Sequence, residues 1–226
     1  MMRSGAAAGE PGSPPRPAFA RWVGIVGIGL AVVGAATWVV APIDMPASAQ
    51  ALADHYADHR TALIVTSVFV VAGNAIVAAF FVALAGLLDA DPLDRLLGRV
   101  GVVGMSIQIA AVSIAFTCFA AVAYRQPDAD TAQVMTDTGW LLVNLAGGPV
   151  TAVAIVGFAL GLTRTRMAGR WLLAPSVFAS IAHLVVAMAF ARSGFLSPEG
   201  GIAIVVPVIY AAWIGLVSVA LLRAPA

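Results

Sequence analysis

Polar and hydrophobic positions in this chain are sorted into blocks. Mostly apolar runs cover about 22–41, 62–88, 100–124, 140–162, 171–191 and 202–222, with short polar stretches between them. A run of about 18 or more apolar residues with almost no charge is the signature of a helix that spans a bilayer. Neither the strict alternation of a half-buried strand nor the one-sided stripe of a soluble surface helix organises the runs. The pattern predicts an all-α fold: a polytopic membrane helix bundle of six transmembrane helices, filling residues 18–223. Residues 1–17, rich in small residues and proline, read as a disordered tail.

The stretches between the runs carry their own signals. Ser48 is placed to cap a short helix running into His59, after Pro42 and Pro46 break the first long one. Asp130-Thr131-Ala132-Gln133 has capping-box spacing, which predicts a short surface helix leading into the fourth span. Gly147-Gly148-Pro149 lies inside that span and should kink it. Trp22 and Trp38 mark the two ends of the first span, as interfacial aromatics do. A secretory leader is the competing reading of this start, since Ala47-Ser48-Ala49 resembles a cleavage site. Its apolar run of about 20 residues exceeds the about 7–15 of a signal core, so a spanning helix is the preferred reading.

Composition narrows the class. Hydrophobic residues make up 61% and charged residues 10%, where soluble domains carry about 25% charged residues. The single cysteine, Cys118, excludes an intrachain disulfide and a cysteine-rich metal site. No basic cluster is dense enough for nucleic acid. With six crossings, Arg3, Arg16, Arg21, Arg95, Arg99, Arg164, Arg166, Arg170 and Arg223 fall on one side, against Arg60, Arg125 and Arg192 on the other. Positively charged loops stay in the cytoplasm, so both termini are expected there.

Candidate chemistry is sparse. No P-loop, dinucleotide fingerprint, nucleophile elbow or paired intramembrane acid is present, so no catalytic residue and no cofactor is assigned. Polar residues inside the runs fall into stripes. Ser176, Ser180 and His183 share a helix face, as do Ser106, Ser113 and Thr117, and Asn144, Gly148 and Thr151; Ser67 and Asn74 lie seven apart. Such groups should turn away from lipid. They read either as interhelical hydrogen bonds or as the lining of a small polar cavity, with Asn74, Ser113, Asn144, Ser176, Ser180 and His183 as its ligand-binding candidates. Gln108 lies on a different face of its helix and fits either role. His55 and His59, four apart, have the spacing of a metal-binding pair; the plainer reading is an interfacial helix with Leu52 and Tyr56 facing the membrane. Asp89, Asp91 and Asp94 suggest either a diphosphate site or a solvated turn with a helix cap.

Three segments carry a family resemblance: ALADHYADHRTALIVTSVFVVAGNAIVAAFFVAL, GFALGLTRTRMAGRWLLAPSVFAS and PVIYAAWIGLVSVALLR. In them the chain resembles an uncharacterised bacterial six-helix membrane family, the domain of unknown function 4386. Where that family often has proline before its basic-aromatic pair, this chain has Gly169 ahead of Arg170-Trp171. The resemblance implies six helices in a bacterial cytoplasmic membrane and no particular activity. Two functions are open: binding or transport of a small, weakly polar or lipidic molecule within the bundle, or assembly with another membrane protein or a second copy through glycine faces at Gly24, Gly27 and Gly157.

Overall fold

The computed structural model describes residues 16–40, 46, 48–189, 191, 194–197 and 200–224. Most of the expected tail, and Ala47 of the cleavage-like stretch, lie outside the described residues. Among those described, all regular structure is helical: α1 (Arg16–Val40), α2 (Ala49–Asp58), α3 (Arg60–Gly86), α4 (Pro92–Arg125), α5 (Ala129–Leu141), α6 (Gly148–Arg164), α7 (Leu173–Val186) and α8 (Gly201–Leu222). A π-helical turn, Leu142–Gly147, joins α5 to α6. Among the described residues five stretches are long and apolar enough to cross a membrane: Pro17–Trp38, Arg60–Gly86, Pro92–Arg125, Ala129–Arg164 and Gly201–Leu222.

Several boundaries differ from expectation, each for a local reason. Arg16 and Pro17 belong to α1 and not to the tail; proline suits a first turn, where its missing N–H has no partner to lose. α4 starts eight residues before the expected position 100, because Asp91 accepts from the N–H groups of Leu93 and Asp94 (2.8 and 2.9 Å) and Pro92 opens the helix. The cap of α5 is Asp128, two residues ahead of the expected Asp130. Its carboxylate takes both the N–H and the hydroxyl of Thr131, at 3.0 and 2.8 Å. Ser48 caps α2 as expected, accepting from the Ala51 N–H.

The expected surface helix and fourth span are one rod from Ala129 to Arg164. A proline inside an α-helix clashes with the carbonyl four residues back. Here the chain widens into the π turn just before Pro149, which gives the ring room while the rod continues. The fifth expected span, 171–191, is shorter than the sequence suggested. A 3-10 turn at Arg170–Leu172 and α7 together stop at Val186, where tight bonds from Met188 N–H to Val185 and from Ala189 N–H to Val186 turn the chain.

The helices form a ring. α1 packs along α8, α8 on α7, α7 on α6, α6 on α4 and α4 on α3; only the closing seam between α1 and α3 is thin. The basal end of the bundle, where Asp91 and Arg164 meet, is filled by Phe80, Phe81, Phe158, Trp213 and Leu84. Phe81 stacks on Phe158 at 5.4 Å and on Trp213 at 6.5 Å. The distal end is capped by α2, which lies on α5, and by Phe116, Phe119 and Trp140.

Glycines set the closest approaches. A Cβ on Gly104 would stand 2.6 Å from the Val150 carbonyl, and one on Gly24 2.8 Å from that of Ser218. Gly157 faces the Leu97 carbonyl at 3.1 Å. The glycine faces at Gly24, Gly27 and Gly157 are therefore occupied by helices of this same chain.

Candidate functional site

Between the two filled ends the ring encloses a cavity of about 620 Å³, within the range of about 300–1,000 Å³ common for ligand sites. Its walls come from α1, α3, α4, the end of α5, the π turn, the start of α6, α7 and α8. Tyr210 and Ile214 form its floor, above the Phe81 stack, and Trp38 and Trp140 form its roof, with ring centres 6.3 Å apart. The wall is mainly aliphatic, and among the described residues that line it none is an aspartate, glutamate, lysine or arginine.

The cavity opens sideways. Val33, Phe69 and Ile76 line it and are also 46, 52 and 55% exposed. The reason is the thin α1–α3 seam. Basally it is closed, because Gly27 lets Phe80 of α3 lie against α1. Further up, Gly29 and Gly73 have no atom of another element within 4 Å of where a Cβ would stand. The same residue type closes one half of the seam and leaves the other half apart.

The structure divides the expected polar residues into two groups. Asn74, Asn144 and His183 border the cavity. Ser113 stands behind Asn74 and accepts its amide N–H at 2.8 Å, while its own hydroxyl donates to Ile109. Ser176 and Ser180 do not line the cavity. Ser176 accepts the Trp213 indole N–H at 2.9 Å, tying α7 to α8, and Ser180 donates to the Ala152 carbonyl, tying α7 to α6. Not every stripe points inward: Ser106 and Thr117 are exposed. Thr117 satisfies its hydroxyl on the Ser113 carbonyl one turn back, which is how a hydroxyl is tolerated against lipid.

His183 is 5% exposed. Its Nδ1 lies 2.8 Å from the Ala179 carbonyl and its ring stands edge-on to Tyr210 at 5.6 Å. A carbonyl oxygen can only accept, so Nδ1 carries a proton.

Sequence reasoning missed Trp140 and Tyr210 as wall residues and left Gln108 open between joint and lining; all three line the cavity. Gln108 was set apart because it lies off the stripe of Ser106, Ser113 and Thr117; in the bundle it is that stripe that is partly outside. Gln108 reaches across to Gly147 in the π turn, where any side chain would collide with its amide. The glycine at that position is the one sequence signal for the contact. The Gln108 Oε1 and the Trp140 Nε1 are both buried without a hydrogen-bond partner among the described residues.

Outside the cavity, His55 and His59 stack face to face, with ring centres 4.4 Å apart and planes 25° from parallel. Nitrogen lone pairs lie in the ring plane, so in this arrangement the two do not converge on one point. No group of three or more metal-capable side chains occurs among the described residues. Leu52 and Tyr56 do not face the membrane, as the interfacial-helix reading expected. They are buried on α5, with the Tyr56 hydroxyl 2.9 Å from that of Thr136 and its ionisation pushed up by burial. The three basal acids are all engaged. Asp89 pairs with Arg95, and Arg164 bridges Asp91 and the buried Asp94 at 3.2 and 2.9 Å. The Asp94 and Leu93 N–H groups, with Arg164, hold the Asp91 carboxyl below the ordinary aspartate value.

Fold and cavity together define a helical bundle with the length and apolarity of a multi-pass membrane protein, hollow on one side. No family model matches the chain, and no curated protein or solved structure does either.

Proposed function

We propose that this is a six-crossing protein of a bacterial cytoplasmic membrane, with both termini inside, that binds or carries a small, weakly polar or lipidic molecule in its central cavity. One observation carries this reading: a cavity with no charged side chain among its described lining residues lies at the seam between α1 and α3, two helices long and apolar enough to cross a membrane. A ligand dissolved in the bilayer would enter there without crossing water. The arginine bias supports the orientation, and the six-helix family that three segments resemble would share the architecture. Assembly with a partner has less support, since the glycine faces that would serve it are filled from within the chain.

The test is native mass spectrometry of the protein extracted gently from its own membrane. Wild type should carry a discrete small-molecule adduct, and the double variant Gly29→Leu with Gly73→Leu, which fills the open half of the seam, should lose it while staying folded. A bare wild-type chain, or an adduct that survives in the double variant, would overturn the reading.

A further inference from the structure

A second pocket, of about 610 Å³, lies at the basal end and is lined by Thr163, Arg164, Arg166, Ala168, Gly169 and Arg170. These residues are the end of α6 and the turn that carries the chain towards α7. Three of the six are arginines, and they are not equivalent. Arg164 is spent on Asp94 and Asp91, and Asp89 beside them pairs with Arg95. Arg166 and Arg170 are exposed, and their side chains make no ion pair or hydrogen bond among the described residues. The pocket therefore presents two uncompensated positive charges and, among its described lining residues, no acid.

In this turn glycine and arginine stand in unexpected places. Arg166 has a φ of 59°, the left-handed region that glycine enters freely and other side chains only under strain. Gly169 has a φ of −73° and needs no such freedom. Its missing side chain serves another contact: a Cβ there would stand 2.7 Å from the Trp171 ring. Trp171 thus lies against the turn, half exposed, and Phe178, Ile181 and Val185 continue its face along α7 as exposed apolar residues. One strip of surface runs from two free guanidinium groups past an indole ring to a bare apolar helix face.

Resting on the membrane crossing proposed above, and not on the cavity, we infer that this pocket binds the head group of an anionic phospholipid. Its phosphate takes hydrogen bonds from Arg166 and Arg170, and an acyl chain lies along Trp171, Phe178 and Ile181. A guanidinium forks its N–H groups onto phosphate oxygens, and indole rings sit at head-group depth in a bilayer. A free phosphate would meet the same arginines and leave the apolar strip unused. A zwitterionic head brings an ammonium of its own, which the two arginines repel.

The full-length protein in detergent is incubated with equal amounts of phosphatidylglycerol and phosphatidylcholine of the same acyl chains, and bound lipid is read by native mass spectrometry. Phosphatidylglycerol should be favoured by about tenfold or more, on the scale of two arginines beside an anionic head group. The preference should fall to about one in the double variant Arg166→Gln with Arg170→Gln. It should survive in Arg99→Gln with Arg223→Gln, which removes the same charge from exposed positions outside the pocket. It should also survive in Gly29→Leu with Gly73→Leu, so that a failed cavity and a failed head-group pocket give different results. Equal binding of the two lipids, binding of neither, or an equal loss in both arginine pairs would overturn the inference. Inorganic phosphate in large excess should leave the lipid bound; displacement would make this a site for free phosphate and overturn the lipid assignment.

Discussion

The two halves of the α1–α3 seam are built from the same materials and behave in opposite ways. Basally, Gly24 and Gly27 bring α1 hard against α8 and under Phe80, and the space inside is filled by Phe81, Phe158 and Trp213. Further up, Gly29 and Gly73 face nothing, and the interior is empty. A small residue in a membrane helix permits close packing but does not cause it. What closes the basal half of the seam is Phe80, which lies over Gly27. Around Gly29 and Gly73 no side chain crosses the gap, and a cavity remains.

That contrast can be broken from the filled side. Phe158 is fully buried between α4 and the Phe81 ring, and Phe158→Ala should destabilise the protein by about 3–5 kcal/mol, read as a lower thermal midpoint in detergent. A smaller effect is expected at the bundle's polar joint: Ser176→Ala leaves the Trp213 indole N–H without its acceptor and should cost about 1–3 kcal/mol in the same assay. The smallest belongs to the empty half. Gly73→Ala meets no atom and removes a flexible residue from a helix, so stability should hold or rise by about 0.5–1 kcal/mol. If Gly73→Ala destabilised the protein as much as Ser176→Ala, the open half of the seam would have to be closed in solution.

Much of the fold was legible in the sequence because lipid imposes one rule on long apolar runs. With no water available, such a run must be a helix. The ends were less legible, since each is decided by one or two hydrogen bonds: Asp128 and Asp130 are both credible caps, and only Thr131's contacts choose between them. The site was half legible. His183, Asn74 and Asn144 stood out as polar groups in apolar runs, and they do border the cavity. Ser176 and Ser180 stood out for the same reason and instead join helices, because a serine is short enough to bond its neighbour's backbone and to disappear. Gln108 was left open between joint and lining because one helix's stripe does not tell which way that helix is turned within the ring.

The π turn bears on a different matter, the rotational phase of the longest rod in the molecule. An α-helix advances about 100° per residue, and a wide turn absorbs one residue without advancing the axis in step. Everything distal to Leu142 is thus out of phase with α6 by about that angle. Ala132, Thr136 and Trp140 owe their burial to this offset. A chain one residue shorter at this point would swing all three away, take the Thr136 hydroxyl from Tyr56 and pull Trp140 off the roof of the cavity. A single insertion or deletion at Leu142–Gly147 is a means of retuning that roof without touching any residue of the basal half.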